Sequence, residues 1–134
     1  MSFALDIETF ADETMEAVEN TRRIFIGNLC LRIIDRTPVL SGHLKGNWQP
    51  SIGAAETDEV PRASKDGAFV KRLVLDVLAK LKGDETFYFS NNAPYVLVIE
   101  YEGHSSVKAP DGMVRISLAE VGQLINQAIR EGGL

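Results

Sequence analysis

The chain's 134 residues suit one domain, since domains cluster near ~100 to 150 residues and a chain of this size buries about two thirds of its unfolded surface. Hydrophobic residues at 45% and charged residues at 25% are globular averages, and eleven glycines with five prolines exclude a collagen-like or low-complexity chain. Lys and Arg number 14 against 19 Asp and Glu, a net charge of −5 that argues against a protein held to nucleic-acid phosphates by charge.

Apolar positions Ile7, Ala11, Met15, Val18, Phe25, Leu29 and Ile33 step by three, four or seven, the one-sided period of a long helix. Asp6 reads as its N-cap, and the acids from Asp6 to Glu19 favour the positive end of the helix dipole. From Ile24 to Ile34 little of the circumference is polar, so that half is the buried one. Thr37-Pro38 stops the helix, because the residue before proline is pushed out of the α region. At ~1.5 Å per residue such a helix is ~45 Å long, whereas a globule of this length has a radius of gyration of ~14 Å. The N-terminal half, about 6–20, is therefore expected to overhang the domain or to bend at Gly27.

A turn-rich passage leads into a strand near 47–52, and residues 53–67 read as an exposed, mobile loop. Ser64 or Asp66 caps a second helix with apolar positions Phe69, Val70, Leu73, Val74, Val77, Leu78 and Leu81, ended by Gly83. Residues 85–90 have the aromatic and β-branched character of a strand, while 95–101 is apolar but ambiguous by period. Ala109-Pro110-Asp111-Gly112 is turn chemistry, followed by a strand over 113–116. Ser117 caps a last helix with Leu118, Val121, Leu124, Ile125, Ala128 and Ile129, ended by Gly132-Gly133. The sum is an α+β domain spanning 1–134: a long N-terminal helix and a small, mostly antiparallel sheet packed by a central and a C-terminal helix.

Cys30 is the sole cysteine, which excludes an internal disulfide or a cysteine-rich zinc site and makes a reducing compartment the simpler expectation. The first residues lack the basic region of a signal peptide, and no apolar run nears the ~20 residues of a membrane span, so synthesis in the cytoplasm without a membrane partner is expected. Phosphate-binding, His-Glu-x-x-His and Cys-x-x-Cys patterns are missing. His43 and His104, with Glu102, are the only candidate metal ligands, and loop histidines so far apart read as surface residues. Ser41 and Ser105 sit near histidines, where turn closure is the plainer role. Glu100 lies between Ile99 and Tyr101, and a carboxylate buried there needs a partner such as Arg115 or Lys45. Trp48 reads as core, and the basic residues are too dispersed for an oligonucleotide groove. No cofactor is implied.

Three passages carry a resemblance. Thr37-Pro38-Val39-Leu40-Ser41-Gly42-His43-Leu44-Lys45 after a long helix is similar to the Thr-Pro-Val-x-(Thr/Ser)-Gly-x-Leu-(Arg/Lys) passage of small neck, or tail-completion, proteins of long-tailed bacteriophages, the gene-product-ten family. Asn91, Pro94, Tyr95, Ile99-Glu100-Tyr101 and Gly103 resemble that family's Asn-x-x-Pro-Tyr-x-x-x-(Val/Ile)-Glu-(Phe/Tyr)-Gly segment, with Glu102 intervening before the glycine. Ala109-Pro110-Asp111-Gly112-Met113-Val114-Arg115 resembles its Ala-Pro-x-Gly-Met-Val-Arg turn and strand. The family-motif positions are thus Pro38, Gly42, Leu44, Asn91, Pro94, Tyr95, Glu100, Tyr101, Gly103, Pro110, Gly112, Met113 and Arg115.

The resemblance implies a non-enzymatic virion protein of a phage or prophage, a head–tail connector subunit assembled as a ring around the DNA channel. Its expected partners are copies of itself, portal-side neck proteins and tail-terminator proteins, with DNA passing nearby unbound. The interface candidates are the half-helix carrying Ile7, Ala11, Met15 and Val18, the loop 53–67, and the turn from His104 to Gly112. Two other classes stay open: an adaptor or ligand-binding module that offers its acidic face to a basic partner, and a small hydrolase using Glu100 or His104.

Overall fold

The computed structural model describes residues 3–39, 41–101 and 112–133. In chain order the elements are α1 (Phe3–Asp35), α2 (His43–Gly46), β1 (Trp48–Ile52), α3 (Ala68–Leu78), β2 (Phe87–Asn91), α4 (Val96–Tyr101), α5 (Val114–Leu118) and α6 (Val121–Gly132). The fold is α+β, a long helix and a two-stranded antiparallel sheet with helices packed against it. β1 and β2 pair from Trp48 opposite Asn91 to Ile52 opposite Phe87.

The 33 residues of α1 span ~50 Å. The helix runs unbroken through Gly27, whose missing side chain admits α3: a Cβ there would stand 3.4 Å from Leu78 Cδ1. α3 runs antiparallel to α1. Lys71 near its start pairs with Asp35, and at its end the Arg23 guanidinium donates to the carbonyls of Leu78 at 3.2 Å and Leu81 at 2.8 Å. The Leu78 carbonyl also accepts the Leu81 N–H at 3.1 Å, and a cation suits carbonyls at the negative end of a helix. α6 is also antiparallel. Glu120 at its head pairs with both Arg32 and Arg36, and a side chain at Gly132 near its end would run into Thr21. Both flanking helices therefore end level with Thr21 to Arg23; the Gly83 N–H beyond α3 still reaches Glu19 Oε1 at 3.4 Å, and ahead of that α1 stands clear of the other described elements. Every residue from Ile7 to Glu16 is exposed.

The core lies where the C-terminal half of α1 meets the sheet and α3. Cys30, Ile33 and Ile34 bury against Leu44, Trp48, Val70, Val74, Leu78 and Met113. Trp48 is a core residue as expected; it stacks on Phe89 with centroids 4.8 Å apart and donates its indole N–H to Thr37 Oγ1 at 2.9 Å. Burial pushes the Cys30 thiol up to about 12, which leaves it an inert apolar filler.

Several local expectations need correction. Asp6 lies inside α1 rather than at its N-cap, because the helix starts at Phe3. Residues 113–116 form no strand; they open α5, since a buried carboxylate collects the N–H groups of that turn and only a helix start presents three together. Ser117 consequently sits within α5 instead of capping the last helix, donating to Met113 O at 2.7 Å while Arg36 donates to its oxygen at 3.0 Å. The ambiguous 95–101 stretch is helix from Val96 on, α4, with Tyr95 in the turn before it. α3 stops at Leu78 rather than at Gly83, and its N-cap is Gly67 at φ 75°, where a side chain would strike Ile34; Asp66 does accept the Ala68 N–H, at 3.0 Å. The motif positions Gly103 and Pro110 and the interface candidate His104, with the remainder of that turn up to Asp111, lie outside the described residues.

Candidate functional site

The motif residues that the structure describes interlock although they come from distant parts of the chain. Gly42, at φ 86°, accepts at its carbonyl the N–H of Gly46 at 2.8 Å and of Ser64 at 3.0 Å, and any side chain there would meet the backbone of residues 64 and 65. Leu44 is buried, and its carbonyl accepts the Asn91 amide at 2.9 Å; Asn91 in turn closes the turn to Ala93, whose N–H reaches its Oδ1 at 3.1 Å. Pro38 is half-buried, and Pro94 and Tyr95, which follow this turn, are exposed.

Glu100 ties the second passage to the third. Its Oε2 accepts the N–H of Met113 at 2.5 Å and of Val114 at 3.0 Å, and its Oε1 accepts the N–H of Arg115 at 2.8 Å. Arg115 Nε stands 3.4 Å from Oε1, its guanidinium also donates to the Glu100 carbonyl, and its carbon lies 5.0 Å from the centroid of the Tyr101 ring. Burial of the carboxyl raises its pKa, but the three backbone donors and Arg115 outweigh that and hold it below the ordinary range. Gly112, at φ 86°, is required because a Cβ would come within 2.7 Å of the Glu100 carbonyl. A carboxylate kept ionised with both oxygens engaged is a clamp, and a poor proton donor or acceptor for catalysis. Of the two partners weighed for Glu100, Arg115 is the one it meets; Lys45 is buried elsewhere, its pKa lowered by burial with Asp35 and Asp66 opposing and Lys71 reinforcing the shift.

The loop 53–67 is laced to β1. Asn47, fully buried, accepts the Val60 N–H at 2.8 Å and donates to the Val60 carbonyl at 3.0 Å. Gln49 donates to Asp58 O at 2.7 Å, and Arg62 reaches back to the carbonyls of Gly46 at 2.6 Å and Trp48 at 3.1 Å. His43 Nε2 meets Glu59 Oε1 at 3.1 Å and Ser41 Oγ accepts the His43 N–H at 3.3 Å, so both serve local structure. Among the described residues no group of three His, Cys, Asp or Glu is placed to hold a metal ion, and no helix is long and apolar enough to cross a membrane. Sequence reasoning passed over Asn47, Gln49 and Arg62; the signal was Asn-Trp-Gln at the head of a strand, polar side chains where a buried strand wants apolar ones.

What remains available to a partner is apolar surface. On the first half of α1, Ile7 is 51%, Met15 60% and Val18 42% exposed, and Phe10, which the period alone did not single out, is 71% exposed. Residues 3–19 carry six acids and no base. On α3, Phe69 at 57% and Leu75 at 54% are exposed beside Arg72 and Lys80. Leu75 and Ala79 form one wall of a cleft of about 390 Å³ that has Ile24, Gly27, Asn28 and Leu31 of α1 as its floor and Glu131 of α6 on the other side. Residues 62–82, which include α3, carry six bases against two acids. No family model matches the chain, and no curated protein or solved structure matches it at a level that marks a relative.

Proposed function

We propose that this chain is a non-enzymatic virion protein of a long-tailed bacteriophage or prophage, a tail-completion subunit that assembles as a ring at the junction of head and tail. The observation that carries the reading is the sequence order of three passages, 37–45, 90–103 and 109–115, each resembling the corresponding passage of one family of neck proteins. Their described residues support it physically: Leu44 with Asn91, and Glu100 with Met113 and Arg115, are mutual contacts, so the resemblance falls on one structural frame rather than on scattered surface. A frame of backbone clamps suits a subunit that must hold shape under load.

The acid excess suits a channel through which DNA slides, since like charge repels phosphate. Portal-side neck proteins and the tail terminator are the other partners this reading requires, and the virion neck is its location after synthesis in the host cytoplasm. The test is a phage that carries this chain with its coding frame interrupted. DNA-filled heads and complete tails that accumulate unjoined, and that join when the wild-type protein is supplied, are the expected outcome. Intact virions at normal yield without the protein would overturn the reading.

A further inference from the structure

We propose that the acidic first half of α1 in one copy docks, apolar stripe inward, on the basic face of α3 and the adjoining cleft of a second copy. Among the described residues nothing covers the stripe of Ile7, Phe10, Met15 and Val18, because α3 and α6 both stop at the level of Thr21 to Arg23. It cannot fold back on its own α3. α1 is continuous from Phe3 to Asp35 and α3 lies along the far end of it, so the half-helix points away from its own cleft.

Charge selects the occupant. Two half-helices laid together would oppose six carboxylates to six, whereas the α3 segment has six bases against two acids; with Lys71 paired to Asp35 and Arg62 held by the Gly46 and Trp48 carbonyls, Lys65, Arg72, Lys80 and Lys82 are the ones left to face carboxylates of a second copy. The shapes also agree. Residues 3–19 form ~25 Å of helix, and α3 continued to Leu81 gives ~21 Å of wall. Ala79, small and exposed in the wall, leaves room for a helix to approach at the ~8 to 10 Å that packed helices adopt. Phe69 and Leu75 meet the stripe, while Arg72 and Lys80 reach acids at its margins such as Glu8 and Asp12.

Each copy carries one of each surface, so the contact is head to tail and propagates until it closes as a ring or continues as a filament. The pairing deepens the ring reading and relies on it for closure, not for the contact itself.

Complementary charge reversals test it on the full chain by native mass spectrometry and sedimentation. The wild type is expected to form a discrete closed oligomer that salt weakens. Arg72→Glu with Lys80→Glu sets acids opposite Glu8 and Asp12 of the next copy; Glu8→Lys with Asp12→Lys sets bases opposite Arg72 and Lys80. Each double variant alone should self-associate about 10-fold or more weakly, and an equimolar mixture should recover association, because copies that alternate then pair opposite signs at these four positions. Circular dichroism and thermal melting of the monomers establish that the variants fold. Folded variants that assemble like the wild type, or a mixture that stays monomeric, overturn the pairing, as does a wild type that is monomeric up to millimolar concentration. The connector reading fails by a different result, normal virions without the protein, and the two failures are therefore separable.

Discussion

α1 is one helix with two fates. From Thr21 to Asp35 it lies under α3 and α6 and supplies Cys30, Ile33 and Ile34 to the core; from Ile7 to Glu16 it is exposed on every side. Apolar residues recur at helical spacing in both halves, so hydrophobic period alone does not separate a core face from an unpartnered one. What separates them is what the rest of the chain brings alongside. The second half is surrounded because Arg23 caps α3 and Glu120 pairs with Arg32 and Arg36, which fixes where both neighbours end. The first half keeps its helical form through its own hydrogen bonds and its acidic first turns, and its stripe contributes nothing to the core.

The largest effect expected from that contrast is in the covered half. Ile34 is fully buried, and its Cγ2 comes within 2.7 Å of where a Gly67 Cβ would stand. Ile34→Ala should therefore remove about 2–5 kcal/mol of folding stability through lost burial and the cavity left behind. Urea unfolding measures this, and a loss below about 1 kcal/mol would mean that the packing around α1 is far looser than the structure has it.

A smaller, pH-dependent effect is expected at the clamp that anchors α5 beside α1. Glu100→Gln keeps the size of the side chain but replaces one acceptor with a donor facing backbone N–H groups, which should cost about 1–3 kcal/mol near neutral pH. The sign with pH follows from the lowered pKa. The unfolded carboxyl titrates near its ordinary value of 4.5 and the folded one below it, so the unfolded state takes up the proton first as pH falls. The stabilisation from Glu100 is present above pH 4.5 and is lost progressively as pH drops through the folded pKa. Denaturation across that acid range should show a steeper decline for the wild type than for Glu100→Gln. Parallel curves would mean that the carboxylate is not clamped in its ionised form.

Much of this arrangement was legible in the sequence, and the failures share a cause. The long helix, the strands near 48–52 and 87–91, and the helix carrying Val70, Val74 and Leu78 announce themselves through local period and composition. The segment 113–116 misleads because Met, Val and Ile favour strand locally, while the acceptor that draws it into a helix sits on residue 100. The lacing of 53–67 depends likewise on Asn47, Gln49 and Arg62 reaching carbonyls 9 to 16 residues away, which no local pattern encodes. The stripe on α1 was visible as a stripe, and the helix's length against the domain's size made overhang one of two expected outcomes; which residues overhang follows from α3 and α6 ending at Thr21 to Arg23.

The smallest folding effect, and the sharpest use of the contrast, is expected at Phe10. A phenylalanine 71% exposed buries little within the chain, so Phe10→Ser should change monomer stability by no more than about 0.5 kcal/mol, against the several expected at Ile34. Equilibrium unfolding at concentrations where the chain is monomeric measures this. A large loss there would show that the half-helix packs on its own domain, and the division of α1 into a structural half and a partner-facing half would collapse. A negligible loss would instead leave an aromatic side chain held in water at no benefit to the fold. Phe10 shares helical spacing with Ile7, Met15 and Val18, so a negligible loss would mark the stripe as surface free to take up the proposed contact with a second copy.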